Sequence, residues 1–138
     1  MQGNYIGVNS LGQALGDGNG GVAAADSGIK IGNPNNTVGG TAAGAGNVIS
    51  GNYGDGVLLD GFASGCLVQG NYIGTNPSGM TGLAVSGNGI EIQTSNNTIG
   101  STVWSARNVI AGNSGDGVLI DSKTTGNLVQ GNAVGTNV

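Results

Sequence analysis

Asn96 to Asn132, NNTIGSTVWSARNVIAGNSGDGVLIDSKTTGNLVQGN, is the stretch whose reading decides the fold. Its first copy is Asn35 to Asn71, NNTVGGTAAGAGNVISGNYGDGVLLDGFASGCLVQGN. Over Ser27–Asn76 against Asn88–Asn137 the two copies are identical at 29 of 50 positions, without a gap. A repeat of this kind sets the architecture before local propensity does, because each unit buries its apolar face only against its neighbours.

The unit subdivides. SGIKIG, NVISGN, CLVQGN, NGIEIQ, NVIAGN and NLVQGN begin at Ser27, Asn47, Cys66, Asn88, Asn108 and Asn127, so a related segment starts roughly every 20 residues. Their third residues, Ile29, Ile49, Val68, Ile90, Ile110 and Val129, are all β-branched and apolar; their first residues include Asn47, Asn88, Asn108 and Asn127. One chemistry recurring at such spacing predicts like residues stacked on parallel strands about 4.8 Å apart. β-Branched side chains suit that buried pleat, and stacked Asn side chains can pass amide hydrogen bonds from coil to coil. The chain is therefore expected to be all-β: a right-handed parallel β-helix, a single-stranded solenoid with its hand set by the crossover preference. About six coils of 19–22 residues in two 61-residue units are expected, with no cap at either end. Lys30, Ser50, Gln69, Glu91, Ala111 and Gln130 would form an outward row.

Composition narrows the function classes. The 138 residues fit one domain, 1–138, with 31 Gly, 18 Asn and only 7% charged residues. A net charge of −4 with three basic residues argues against nucleic acid, which needs Lys and Arg for its phosphates. No apolar run approaches the roughly 20 residues of a membrane span. The single cysteine excludes an internal disulfide. QGNYIG at Gln2 precedes QGNYIG at Gln69 by six residues more than the period, which predicts an inserted loop at 10–20. The chain opens in mid-repeat and reads as a fragment of a longer repeat protein.

NNTIGS, RNVIAGN, GDGVLID, NLVQGN and QGNYIGTN resemble the right-handed parallel β-helix repeats of large bacterial secreted and surface-attached, adhesin-like proteins. The resemblance implies an extracellular or cell-surface location and a structural role. The fold also hosts polysaccharide lyases and hydrolases, so fold alone does not decide activity.

The chain holds no His, and its acids are Asp17, Asp26, Asp55, Asp60, Glu91, Asp116 and Asp121. On the six-coil reading Asp55 and Asp116 stand three coils, roughly 14 Å, apart, and Asp55 and Asp60 roughly 16 Å apart along one strand. Glycosidase carboxyl pairs lie about 5 to 9.5 Å apart. Asn35, Asp55, Asn96 and Asp116 are expected near one corner, as turn residues bonded to local backbone. No catalytic, cofactor-binding or metal-ligating residue is assigned. No cofactor is expected, and the Asp17 loop is left as the one place for a weak calcium site. Cys66 takes an Asn position on the ladder as a small buried thiol. Trp104, in the turn where the earlier copy has TAAGAG, could stack on a sugar ring, with surface glycans as the partner, and could equally cover the core.

The expected function is a structural, adhesin-like module, a stiff rod that associates with itself end to end and has no catalytic activity. The alternatives are a fragment of a carbohydrate-active β-helix enzyme, of lyase or hydrolase type, and a carbohydrate-binding module.

Overall fold

A computed structural model describes residues 1–13, 15, 26–83 and 85–135. Strands of two or three residues carry inward Ile, Val and Leu, and Gly and Asn supply the corners between them. Sheet I holds β2 (Ile29–Ile31), β5 (Val57–Leu59), β8 (Ile90–Ile92) and β11 (Val118–Ile120). Sheet II holds β3 (Thr37–Gly39), β6 (Leu67–Gln69), β9 (Thr98–Gly100) and β12 (Leu128–Gln130). Sheet III holds β1 (Tyr5–Ile6), β4 (Val48–Ile49), β7 (Tyr72–Ile73), β10 (Val109–Ile110) and β13 (Ala133–Val134). Every pairing between these strands is parallel, and the chain visits the sheets in the order I, II, III. This is a right-handed parallel β-helix.

The register revises the coil length. Ile29 pairs with Val57, and Val57 with Ile90. Each repeat unit therefore makes two coils, not three. One lap carries the chain the 30 residues from Asn97 to Asn127, stacked neighbours at one corner. The chain forms four such coils, β2 to β13, preceded by β1. The expected single stack of Ile29, Ile49, Val68, Ile90, Ile110 and Val129 is distributed over three sheets: Ile29 and Ile90 on I, Val68 and Val129 on II, Ile49 and Ile110 on III. The physical reason is that each coil carries a β-branched residue at an inward position on each of its three faces. The step from Ile29 to Ile49 moves two faces round the coil, and it lands on the same chemistry as a full lap.

The columns in register are Ile29–Val57–Ile90–Val118 and Ile31–Leu59–Ile92–Ile120 on sheet I, Val38–Val68–Ile99–Val129 on sheet II, and Ile6–Ile49–Ile73–Ile110–Val134 on sheet III. All of these except Ile120, Val129 and Val134 pack into one core. Burying each such side chain contributes about 1.5–3 kcal/mol. Ser50, expected on the outward row, is fully buried instead, and its hydroxyl donates to the Thr75 carbonyl at 2.8 Å.

An Asn ladder runs along the corner between sheets II and III. Asn4, Asn47, Asn71, Asn108 and Asn132 each bond to the next through Nδ2 and Oδ1, at 2.9, 2.9, 2.9 and 2.8 Å. The backbone N–H of each also donates to the Oδ1 of the next. Asn47 and Asn108 thus belong to this ladder as expected, with Asn71 between them.

Asn88 and Asn127 lie at the other two corners. Asn127 accepts the Asn97 N–H, and Asn97 accepts the Cys66 N–H, so buried Cys66 does replace an Asn in a shorter stack. Directly before that stack, Asn35, Gly65, Asn96 and Gly126 follow one another at φ of 59, 64, 62 and 69°. A Cβ on Gly65 would lie 2.6 Å from Asn35 Oδ1, so the alternation of Asn with Gly is enforced by both backbone and space.

The two ends differ. At the C-terminal edge Ile120 and Val129 are 42% and 39% exposed, whereas Ile92 and Ile99 one coil earlier are fully buried. At the other edge Ile29, Ile31 and Val38 are buried, and Met1 lies along β3, donating to Thr37 O and accepting from Gly39 N, both at 2.8 Å. Of the expected inserted loop at 10–20, only 10–13 and 15 are described. Residues 9–13 form a turn in which Asn9 Oδ1 accepts the N–H groups of Leu11 and Gln13. Asp17 lies outside the described residues.

Candidate binding notch

The two coils of a unit differ at the corner between sheets II and III. After β3 and after β9 the chain takes eight residues to turn, Gly40–Gly46 plus Asn47 in one case and Ser101–Arg107 plus Asn108 in the other. Between β6 and β7 it turns through Gly70 and Asn71 alone. Two long corners therefore overhang one short corner. The space between them is a surface notch of about 600 Å3.

The floor is Gly70 and Tyr72. The wall from the first unit is almost bare of side chains, running through Gly40, Ala42, Ala43 and Gly44. Gly46 sits so tightly on the floor that an added Cβ would collide with the Gly70 carbonyl. In the opposite wall Trp104 opens a short 3-10 turn, Trp104–Ala106, which buried Ala106 pins by accepting the Gly70 N–H at 2.7 Å. Arg107 follows, and its guanidinium carbon lies 3.7 Å from the Trp104 ring centroid. Trp104 is nevertheless 76% exposed, so the ring face turned away from Arg107 is open.

The electrostatics of the notch are unlike those of the chain. The net charge is −4, yet among the described residues the lining holds no carboxylate, and its polar side chains are the Arg107 cation and the Thr41, Tyr72 and Ser105 hydroxyls. Among the described residues the ion pair within 4 Å is Lys30–Asp60, at 2.7 Å, which also raises the Lys30 pKa above its ordinary value. Among the described residues Arg107 takes part in no ion pair within 4 Å.

The acids are arranged differently from the expectation. Asp55 and Asp116 lie at the entry to sheet I, away from Asn35 and Asn96, which sit between sheets I and II. Asp55 and Asp116 are two coils apart, about 9.6 Å at the strand spacing, rather than three. Asn88 fills the interval: its N–H donates to Asp55 Oδ1 at 2.7 Å, and its Oδ1 accepts the Asp116 N–H at 2.9 Å. Burial raises the Asp55 pKa above its ordinary value, with the Glu91 charge adding to the shift against the Asn88 hydrogen bond. Glu91 is held by Asn88 Nδ2 and Gln93 Nε2, at 3.0 and 2.6 Å. Among the described residues no three His, Cys, Asp or Glu side chains converge as a metal site would require.

Trp104 was legible in the sequence as the aromatic outlier of its corner. Arg107, Tyr72 and the small-residue wall were not singled out. A signal for them exists in the repeat alignment, where Trp104 and Arg107 replace Ala43 and Gly46 in the same eight-residue corner.

Comparison with protein-family models, with curated proteins and with solved structures gave no match.

Proposed function

We propose that the chain is a structural module of an extracellular or surface-attached rod, extended by stacking one copy on the next, without catalysis. The observation that carries this reading is the Asn ladder, which bonds each coil to the next through side chain and backbone in one sense along the stack.

The ladder supplies a direction. Each Asn in it donates its backbone N–H to the Oδ1 of the next, so Asn132 at the open end offers the donor that a following Oδ1 would accept. At the other end Asn4 spends its Nδ2 on Gln2 O and Asn47 Oδ1, and its own Oδ1 is the matching acceptor. Head-to-tail stacking of two copies sets Asn4 over Asn132, Ile6 over Val134 and Met1 over Val129. Such a contact is heterologous and propagates as a filament. A non-catalytic role is supported by how the acids are used: Asp55 and Asp121 accept backbone N–H groups, and Asp60 pairs with Lys30.

Sedimentation velocity across a concentration series tests this reading. Species of increasing length are expected, and Val134→Lys should shorten them while leaving the β-sheet circular dichroism of the interior coils unchanged. A monomer at millimolar concentration would overturn the proposal.

A further inference from the structure

We infer that the notch between the Gly40–Gly46 and Ser101–Arg107 corners is a binding site for a carboxylated saccharide, with Trp104 taking the ring face and Arg107 the carboxylate. The site is distinct from the end surfaces, and the inference does not depend on stacking.

The argument begins with the shape. Two coil spacings, about 9.6 Å, separate the overhanging walls, and the short Gly70–Asn71 corner leaves the interval open. One wall is nearly bare of side chains, so the space belongs to whatever lies against Trp104. The notch is open to water and hydroxyl-lined, whereas a pocket for a purely apolar group would be enclosed. Thr41, Tyr72 and Ser105 present hydroxyls from both walls and the floor, which suits a ligand rich in hydroxyls of its own.

The chemistry of the pair narrows the class. A guanidinium stacked on an indole commits its face to the ring and keeps its in-plane N–H donors directed outward. Those donors match a carboxylate in bidentate geometry. The free face of Trp104 offers a flat apolar surface beside the cation. A ring with an apolar face, hydroxyls on its rim and a carboxylate at its edge satisfies all three features. A neutral sugar leaves Arg107 unused, and a simple anion leaves Trp104 unused.

The test uses three ligands with one backbone: cellotetraose, the tetrasaccharide of β-1,4-linked glucuronate, and the methyl ester of the latter. Trp104 is the only tryptophan, so its fluorescence reports occupancy directly, and calorimetry gives the affinity. Saturable binding of the glucuronate tetramer with a change in Trp104 emission is expected. Arg107→Gln should weaken it by about tenfold or more, as loss of a charge-assisted pair requires. The ester and cellotetraose should bind the unaltered chain no better than the glucuronate binds Arg107→Gln. Trp104→Ala should abolish calorimetric binding while the circular dichroism stays unchanged, since the ring packs outside the core. Equal binding of charged and neutral tetramers, binding indifferent to Arg107→Gln, or no binding of the glucuronate would each overturn the inference.

Discussion

Asn71 donates from Nδ2 to Asn108 Oδ1 at 2.9 Å, across one coil boundary and fully buried. Its own Oδ1 accepts both the N–H and the Nδ2 of Asn47. Each rung therefore satisfies donors on the coil before it and is satisfied by the coil after it. Asn71→Ala removes the acceptor of the buried Asn47 N–H and Nδ2 and the Nδ2 donor to the Val38 and Gln69 carbonyls, while Asn108 Oδ1 keeps the backbone N–H of residue 71; each buried group left unpaired costs about 1–3 kcal/mol. Urea titration should show a loss of about 3 kcal/mol or more for Asn71→Ala and about 1 kcal/mol for Asn132→Ala at the open edge. Equal losses would mean that the ladder contributes no more inside the stack than at its end.

Ile92 and Ile120 share one column of sheet I, but the first is fully buried and the second 42% exposed. Ile92→Ala creates a cavity and should cost about 2–5 kcal/mol. Ile120→Ala should cost less than about 1 kcal/mol in dilute solution. Denaturation midpoints measured at low protein concentration compare the two directly.

The coil length can be tested by insertion. Duplicating residues 47–107 adds one whole repeat unit in register, because Asn47 and Asn108 occupy the same rung position. The product should be a six-coil solenoid, more stable than the parent, since stability grows with the number of coil interfaces. Duplicating residues 88–107 alone adds two-thirds of a coil and sets sheet III chemistry against sheet I. That chain should lose cooperative unfolding. A cooperative and stabilised product of the shorter duplication would contradict the observed register.

Asp55 makes stability depend on pH. Its folded-state pKa is raised, chiefly by burial and further by Glu91, so the folded chain holds the proton more tightly than the unfolded chain. The contribution is thus fully present below the unfolded pKa of about 3.9 and is lost as pH rises through the higher folded value. Asp55→Asn keeps an Oδ1 to accept the Asn88 N–H and removes the titration. Stability measured against pH should decline less across that window in Asp55→Asn than in the parent. An unchanged profile would show that Asp55 does not titrate differently on folding.

The repeat, the parallel solenoid and the inward direction of the Ile and Val centres were legible in the sequence. These are consequences of local chemistry: β-branched triplets, corners of Gly and Asn, and a unit that must stack to bury anything. So was the substitution of Cys66 into an Asn stack. The number of residues per lap was not legible, because three nearly equivalent strand centres in each coil make a step of two faces look like a complete turn. Only strand pairing separates Ile29 over Val57 from Ile29 over Ile49. The notch was hidden for the same reason. Trp104, Arg107, Tyr72 and Ala43 become neighbours only when one short corner lies between two long ones, and which corners overlie each other is decided by the length of the lap. The exposure of Ile120, Val129 and Val134 likewise has no local signal, since these residues repeat the chemistry of buried Ile92, Ile99 and Ile110.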